Sequence, residues 1–321
     1  MKKIILLFLF FVILCIAGLL SYSIYYKNTQ ENVKVVYPIP DFLSISKNNQ
    51  VSTLSIWIPI LTNFIQGKSE EPQVSAKSAI VYDITIDKVL YKKNAKEKLP
   101  MASLTKIMTA IIALENKKID DKYLVTKDNL VGENSMGLSE GEVLSLKELL
   151  YGLILVSGND AAETFATNFK GGRTAFIKAM NDKAKTLSLS DTNFTNPSGL
   201  EGDGNQYTTA YDLIVITEYA LAKFPLFRQV VSTFSYTIEQ TNTHKAFLLE
   251  NETNLLTSYP GVKGVKDGYT PEAGLCLITY LDYEEHKIIG VILGSNNRRQ
   301  EMKDLLDYSL KSIDIIPPKH D

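Results

Sequence analysis

The sequence predicts an α+β domain: one mixed sheet, assembled from strands at both ends of the chain and packed by helices, preceded by an N-terminal transmembrane helix. Three observations predict it. Runs rich in β-branched and aromatic residues occur early (79–85 and 88–91) and late (275–281 and 287–293). Between them the apolar residues switch to helical spacing. Strands gathered at the two ends, rather than alternating with helices, imply a sheet closed between distant pieces and not a βαβ array.

The apolar segment comes first. Met1-Lys2-Lys3 precedes residues 4–26, an uncharged stretch made mostly of Ile, Leu, Phe and Val. A helix that spans a bilayer needs about 20 such residues. The two leading lysines favour a cytoplasmic N-terminus, which sends everything after Lys27 outside. A cleavable signal peptide is the alternative, with Ser21-Tyr22-Ser23 as a weak processing site. The expectation is a single-pass protein of the plasma membrane, or a secreted one if residues 1–27 are removed. Residues 28–77 read as a linker or juxtamembrane segment. Within them an apolar piece, 54–65, contains Trp57 and Pro59 and suits either the membrane interface or the domain surface. The folded domain is expected at 78–314, with 315–321 as a tail. The chain stops soon after Pro317-Pro318, so the N-terminal segment is expected to supply the tether.

Helices are expected at 103–114, 145–156, 160–169, 174–187, 209–223 and 301–310. The second opens on Ser145-Leu146-Lys147-Glu148, a capping-box pattern. The fifth is closed by Pro225.

Composition narrows the function. The chain has 321 residues, 45% hydrophobic and 22% charged, and a formal net charge of −2. That balance is ordinary for a globular protein and gives no electrostatic footprint for nucleic acid. Two cysteines, Cys15 and Cys276, and three scattered histidines build neither a disulfide framework nor a metal-ligand cluster. No cofactor is implied.

Three short elements carry the chemistry. Ser103-Leu104-Thr105-Lys106 opens a helix, and residues three apart share a helical face, so Ser103 and Lys106 can touch. A serine needs a base to become a nucleophile; with no histidine in a serine-bearing motif, lysine is the natural one, provided its pKa is lowered. Taken alone the spacing is a weak signal, and Ser103 reads more readily as a helix cap and Lys106 as a solvated charge. Ser157-Gly158-Asn159 falls at a break between helices and alone reads as a turn. Lys266-Asp267-Gly268-Tyr269-Thr270 suits either an edge strand facing a cleft or a β-turn on Asp-Gly.

Their order changes the reading. S-x-x-K, S-D-N and K-T-G together mark penicillin-binding proteins and class A β-lactamases, and here S-x-x-K, S-G-N and K-D-G follow in that order. With the surrounding stretches KLPMASLTKIMTA, LSLKELLYGLILVSGNDAAETFA and GVKGVKDGYTPEAGLCLI, the chain from about residue 78 to 310 resembles the D-alanyl-D-alanine carboxypeptidase family of penicillin-binding proteins. The resemblance implies a β-lactamase/transpeptidase-like fold and peptidoglycan stem peptides as substrates, with β-lactams as acylating inhibitors. It implies Ser103 as nucleophile, Lys106 as base, and Ser157 with Asn159 as proton path and positioning groups. Lys266 would bind the substrate's terminal carboxylate with Arg298 near it, Gly268 would let the substrate backbone come close because it has no Cβ, and Tyr269 and Thr270 would complete the substrate-binding residues. The backbone N–H groups of Ser103 and Tyr269 would form the oxyanion hole. Asn196-Pro197-Ser198-Gly199 resembles a family loop of structural use.

One position departs from the family pattern. Asp267 stands where Thr is expected, placing an anion where a substrate carboxylate should bind. Slow carboxypeptidase activity, an altered substrate, or a muropeptide-binding protein without activity would each accommodate it. A DD-endopeptidase shares every catalytic residue. A β-lactamase is disfavoured, because no glutamate is marked as the deacylating base.

Overall fold

The computed structural model describes residues 57–62, 64–65, 70–253 and 255–320. The expected transmembrane helix and most of the expected 28–77 linker lie outside the described residues. Among the described residues no helix is long and apolar enough to cross a membrane.

Nine strands and seven helices, with two 3-10 turns and one short helical turn, make up the described chain. Strands β1 (Ser78–Asp83) and β2 (Lys88–Lys93) form the first hairpin. Helix α1 (Lys106–Glu115) follows, then the two-residue strands β3 (Tyr123–Leu124) and β4 (Val143–Leu144). Next come α2 (Leu146–Leu155), α3 (Asn159–Thr167), α4 (Gly172–Thr186), α5 (Ala210–Lys223) and α6 (Pro225–Val231). A small hairpin, β5 (Ser235–Ile238) with β6 (Phe247–Glu250), leads through a single helical turn at Leu255–Ser258. The chain closes with β7 (Val262–Thr270), β8 (Gly274–Tyr283), β9 (His286–Ser295) and α7 (Arg298–Ser312).

The five-stranded sheet has the order β2-β1-β9-β8-β7. The mixed sheet expected from sequence is corrected here: every pairing in it is antiparallel. The reason is local. β7, β8 and β9 are consecutive hairpins, and the N-terminal hairpin joins them through β1 against β9, which leaves no crossover to create a parallel pair.

Alternation along the strands sorts two cores. In β1, Ile80 and Tyr82 face the layer of α1 to α6, while Ala79 and Val81 face α7. β9 does the same with Ile289 and Val291 on one side and Ile288 and Ile292 on the other. At Gly290 an added Cβ would meet Met302 Sδ at 2.6 Å, so the missing side chain is what lets α7 lie close on the sheet. α1 is apolar nearly all round and runs through the centre of the helical layer, with every residue from Lys106 to Ala113 buried.

The apolar piece around Trp57 packs on the domain. Trp57 meets the Tyr82 ring edge-on at 5.3 Å, Tyr211 donates to the Pro59 carbonyl at 2.8 Å, and Ile65 N–H donates to Val89 at 3.0 Å. Other expectations needed adjustment. Pro225 ends one helix but opens another, α6, where its missing N–H would be unpaired in any case. The short β5–β6 pair and β3–β4 pair carried no readable pattern.

Candidate active site

Ser103 lies in a 3-10 turn, Ala102–Thr105, that runs directly into α1. The turn is entered with Ala102 at φ 48°, a left-handed conformation uncommon for a residue with a Cβ. Lys106 Nζ sits 2.9 Å from Ser103 Oγ, as the three-residue spacing requires. Because α1 is central, Lys106 is 0% exposed.

The Lys106 amine has two further contacts. It donates to Asn159 Oδ1 at 2.7 Å and to the Ser198 carbonyl at 2.7 Å. Both of those oxygens can only accept, whereas the serine hydroxyl can donate or accept. A neutral amine has two N–H donors and one lone pair. Its donors are met by Asn159 and Ser198, and its lone pair is left for the Ser103 O–H. Burial first, and then the positive charge of Lys266, hold the Lys106 pKa well below the ordinary lysine value; Glu252, Asp267 and Asp160 pull it back up. The arrangement is that of a lysine kept available as a base.

Asn159 opens α3 immediately after the break at Ser157-Gly158. Ser157 has φ 56°, and its Oγ is buried with no hydrogen-bond partner among the described residues. Strained backbone and orphaned buried hydroxyls are each costly, and they gather at functional sites. The break is pinned from outside. Asn159 N–H donates to the Asn134 carbonyl at 2.8 Å. The carboxylate of Asp160, 1% exposed, accepts from Met136 N at 3.0 Å, Gly137 N at 3.1 Å, Leu138 N at 3.0 Å and Ser135 Oγ at 2.6 Å. Asp160 thereby fixes the loop 134–138 against the segment that carries Ser157 and Asn159.

The third element is on an edge strand. β7 ends the sheet, and Lys266 to Thr270 pair with Ile278 to Gly274 of β8, so no Asp-Gly turn forms. Gly268 was expected to admit the substrate backbone. The structure gives it a different neighbour: an added Cβ would lie 2.8 Å from Ser103 N and 3.1 Å from Ala102 Cβ. Its missing side chain lets β7 close on the turn that carries Ser103. Tyr269 beside it is 61% exposed.

Charge concentrates at Asp267. Lys266, fully buried, donates through Nζ to Asp267 Oδ1 at 3.2 Å and to the Asp267 carbonyl at 3.0 Å. Arg298, the first residue of α7, donates to Asp267 Oδ2 at 2.5 Å and to the Gly268 carbonyl at 2.5 Å. Burial alone would raise the Asp267 pKa, but Lys266 and Arg298 outweigh it and hold the carboxyl below the usual range. Asp267 is therefore an anion bracketed by two cations.

Thr270, expected among the substrate-binding residues, has its hydroxyl engaged elsewhere. It accepts from Ala273 N at 3.1 Å and hydrogen-bonds the Glu201 carboxylate, which also accepts from Glu272 N at 2.8 Å. These bonds tie the β7–β8 turn. They also hold the Glu201 carboxyl below its ordinary pKa, which makes it a weaker base.

Three contributors escaped the sequence reading. The Ser198 carbonyl is a backbone group, and no residue type signals it. Yet the loop that carries it is tightly keyed: Thr109 Oγ1 donates to Pro197 O at 2.6 Å, and Asn196 Oδ1 accepts from Gly199 N at 2.7 Å. Asp160 looked like the first residue of a helix. Glu252 lies between Asn251 and Thr253 in an unremarkable segment, but its charge is felt by Lys106, and the charges of Lys266, Asp267 and Arg298 are felt by Glu252.

Comparison with known proteins agrees with this geometry. A family model described as D-alanyl-D-alanine carboxypeptidase, peptidase family S11, matches residues 65–297. The chain is 34% identical over 283 residues to the D-alanyl-D-alanine carboxypeptidase DacF of Bacillus subtilis, covering 83% of this chain and 72% of that one. It is 31% identical over 267 residues to DacD of Escherichia coli, named for the same activity, covering 78% and 67%. Among solved structures, the Streptomyces K15 DD-transpeptidase superposes with a TM-score of 0.71 at 30% identity, over 75% of this chain and 99% of that one.

Proposed function

Because the chain belongs to the D-alanyl-D-alanine carboxypeptidase family, we propose that it removes the terminal D-alanine of peptidoglycan peptides through an acyl-enzyme on Ser103. It is a serine-type D-Ala-D-Ala carboxypeptidase. The observation that carries the assignment of roles is the set of Lys106 contacts: a fully buried amine 2.9 Å from Ser103 Oγ, its donors committed to two carbonyl oxygens.

In this reading Ser103 Oγ attacks the carbonyl between the two terminal D-alanines while its proton passes to Lys106. The tetrahedral oxyanion is received by the backbone N–H groups of Ser103 and Tyr269, a device whose single-donor loss costs about 10²–10³ in rate. Ser157, whose buried hydroxyl has no hydrogen-bond partner among the described residues, relays the proton to the leaving amine. The C–N bond breaks and D-alanine departs. Water then attacks the ester, returning Ser103 its proton through the same lysine. Asn159 holds Lys106 and the peptide backbone, while Lys266 and Arg298 face the end of the substrate. β-Lactams, which mimic the acyl-D-alanine end, would acylate Ser103 in the same way. Residues 4–26 are proposed to tether the domain to the outer face of the plasma membrane, consistent with their length and flanking lysines.

The test is release of free D-alanine from a pentapeptide ending in D-Ala-D-Ala, compared between the wild type and Ser103→Ala. The reading expects release by the first and none by the second. Equal release by both would remove Ser103 from the mechanism, and rapid turnover of nitrocefin would favour a β-lactamase instead.

A further inference from the structure

Lys266 and Arg298 are the two cations expected to greet a substrate's terminal carboxylate, and both already hold one. Asp267 Oδ1 lies 3.2 Å from Lys266 Nζ and Asp267 Oδ2 lies 2.5 Å from Arg298 Nη2. Asp267 is only 6% exposed and is fixed in the edge strand β7, so its carboxylate is a permanent occupant. Arg298 spends a second nitrogen on the Gly268 carbonyl at 2.5 Å. Both cations thus already face a fixed carboxylate, which leaves the cluster less attractive to a further anion.

We infer that Asp267 is a built-in counterpart of the substrate carboxylate. It sets the specificity of the site toward peptides whose residue after the scissile bond continues as an amide instead of ending in a free carboxylate. The inference rests on the acyl-enzyme reading above and concerns preference at the same site: the free D-Ala-D-Ala end is still cleaved, but less well than a peptide that continues as an amide. A free carboxylate would have to approach Asp267 as a like charge, at a place where the neighbouring cations are committed. An amide carries no charge and fits what is left. Each carboxylate oxygen has room for two hydrogen bonds and uses one on a cation, so Asp267 can accept an amide N–H. The guanidinium of Arg298 has five donors, two of them used here, and can donate to an amide carbonyl. Such an amide has two sources: a peptide whose terminal carboxyl is capped as carboxamide, or one that continues into a second peptide, as across a cross-link.

The experiment uses the full chain purified in detergent. Three acyl-L-Lys-D-Ala peptides differ only after the scissile bond: D-Ala with a free carboxylate, D-Ala carboxamide, and D-Ala extended by glycine. Their kcat/KM values are measured for the wild type, Asp267→Thr and Asp267→Asn. Asp267→Asn keeps the shape of the side chain if Asp267→Thr leaves the buried cations too poorly paired to fold. The wild-type ratio of carboxamide to free acid should exceed that of either variant by at least about tenfold, a modest share of a full like-charge repulsion. Cleavage of the extended peptide alongside the carboxamide would identify continuing chains as the source; cleavage of the carboxamide alone would identify capped ends. Ratios equal within about twofold across the three proteins would overturn the inference. A fluorophosphonate, which carries no carboxylate, reports separately on Ser103. Labelled Ser103 with equal ratios refutes the specificity alone, whereas absence of both labelling and hydrolysis in all three proteins takes down the peptidase reading and the inference with it.

Discussion

Replacing Gly199 by alanine places a Cβ 2.0 Å from the Ala102 carbonyl oxygen and 3.0 Å from Ser103 N. Ordinary contacts begin near 3.4 Å, so backbone must move by roughly 1.4 Å, and neither neighbour is the free end of a flexible side chain. The residue also has φ +89°, where a Cβ costs about 1–2 kcal/mol. Relief comes from moving the 196–200 loop away from the nucleophile turn or from moving the turn itself. Either way the Ser198 carbonyl, now 2.7 Å from Lys106 Nζ, is displaced by more than a hydrogen bond tolerates. Misplacement by ~1 Å at a reacting centre costs about 100-fold in rate. The assay is the second-order rate of Ser103 acylation by a fluorescent penicillin, paired with a thermal melt. Gly199→Ala should lose about 100-fold in acylation and on the order of 5–10 °C in Tm, taking a few kcal/mol at the slope expected for a domain of this size. Gly202→Ala is the internal control, because it has φ +102° and nothing within 4 Å of the added Cβ. It should lose stability through backbone strain alone and acylate like wild type. If Gly199→Ala acylates within about threefold of Gly202→Ala, the claim that this loop positions Lys106 is wrong.

Two further substitutions probe the electrostatics of the base. Lys106 must be neutral to accept the Ser103 proton, so acylation rises with pH through the Lys106 pKa, which burial and Lys266 already hold low. Glu252 stabilises the ammonium form; Glu252→Gln removes that support, lowers the Lys106 pKa further and moves the rising limb of the rate profile to lower pH. A limb that stays in place or moves up contradicts the assigned direction. Asn159→Asp exchanges a neutral acceptor 2.7 Å from Nζ for an anion. At that separation and an effective dielectric near ~20, the attraction is about 6 kcal/mol before the new charge's desolvation is counted. The ammonium is locked in, and acylation near neutral pH should fall at least about 100-fold, with partial recovery in alkaline buffer; unchanged acylation at pH 7.5 would show that Lys106 is not the base.

The sequence could be read furthest where local chemistry decides local structure. The capping box at Ser145 forms as expected, with Ser145 Oγ accepting from Glu148 N at 3.3 Å and the Glu148 carboxylate accepting from Ser145 N at 2.8 Å. The i,i+3 spacing of Ser103 and Lys106 foretold their contact because a helical turn admits few other outcomes. What stayed hidden depends on partners remote in sequence or on backbone atoms. Ser198 contributes a carbonyl, which every residue has. Glu252 acts through its field, not through a motif. Gly268 looked like an opening for substrate, and only the closing of β7 onto Ala102 and Ser103 reveals why a Cβ is excluded there. The sheet's direction was missed because strand patterns say which faces are buried but not how distant strands run. The β5–β6 hairpin was missed because its four-residue strands, half exposed, carry too short an alternation to read. Asp267 was visible as a departure, yet its engagement by Lys266 and Arg298 on either side needed Arg298 brought from the start of α7 to the edge of β7.

The account's central claim is that Ser103 is a nucleophile because a buried Lys106, its pKa held low by burial and by Lys266, rests against it. Mass spectrometry of the adduct formed with a fluorophosphonate at pH 7.5, in wild type and in Lys106→Met, tests it most directly. The account predicts a single modified peptide containing Ser103 in the wild type and labelling reduced at least about 100-fold in Lys106→Met, since a positioned general base contributes ~10²–10⁴. Modification of another serine, or equal labelling of Ser103 without the lysine, would contradict it.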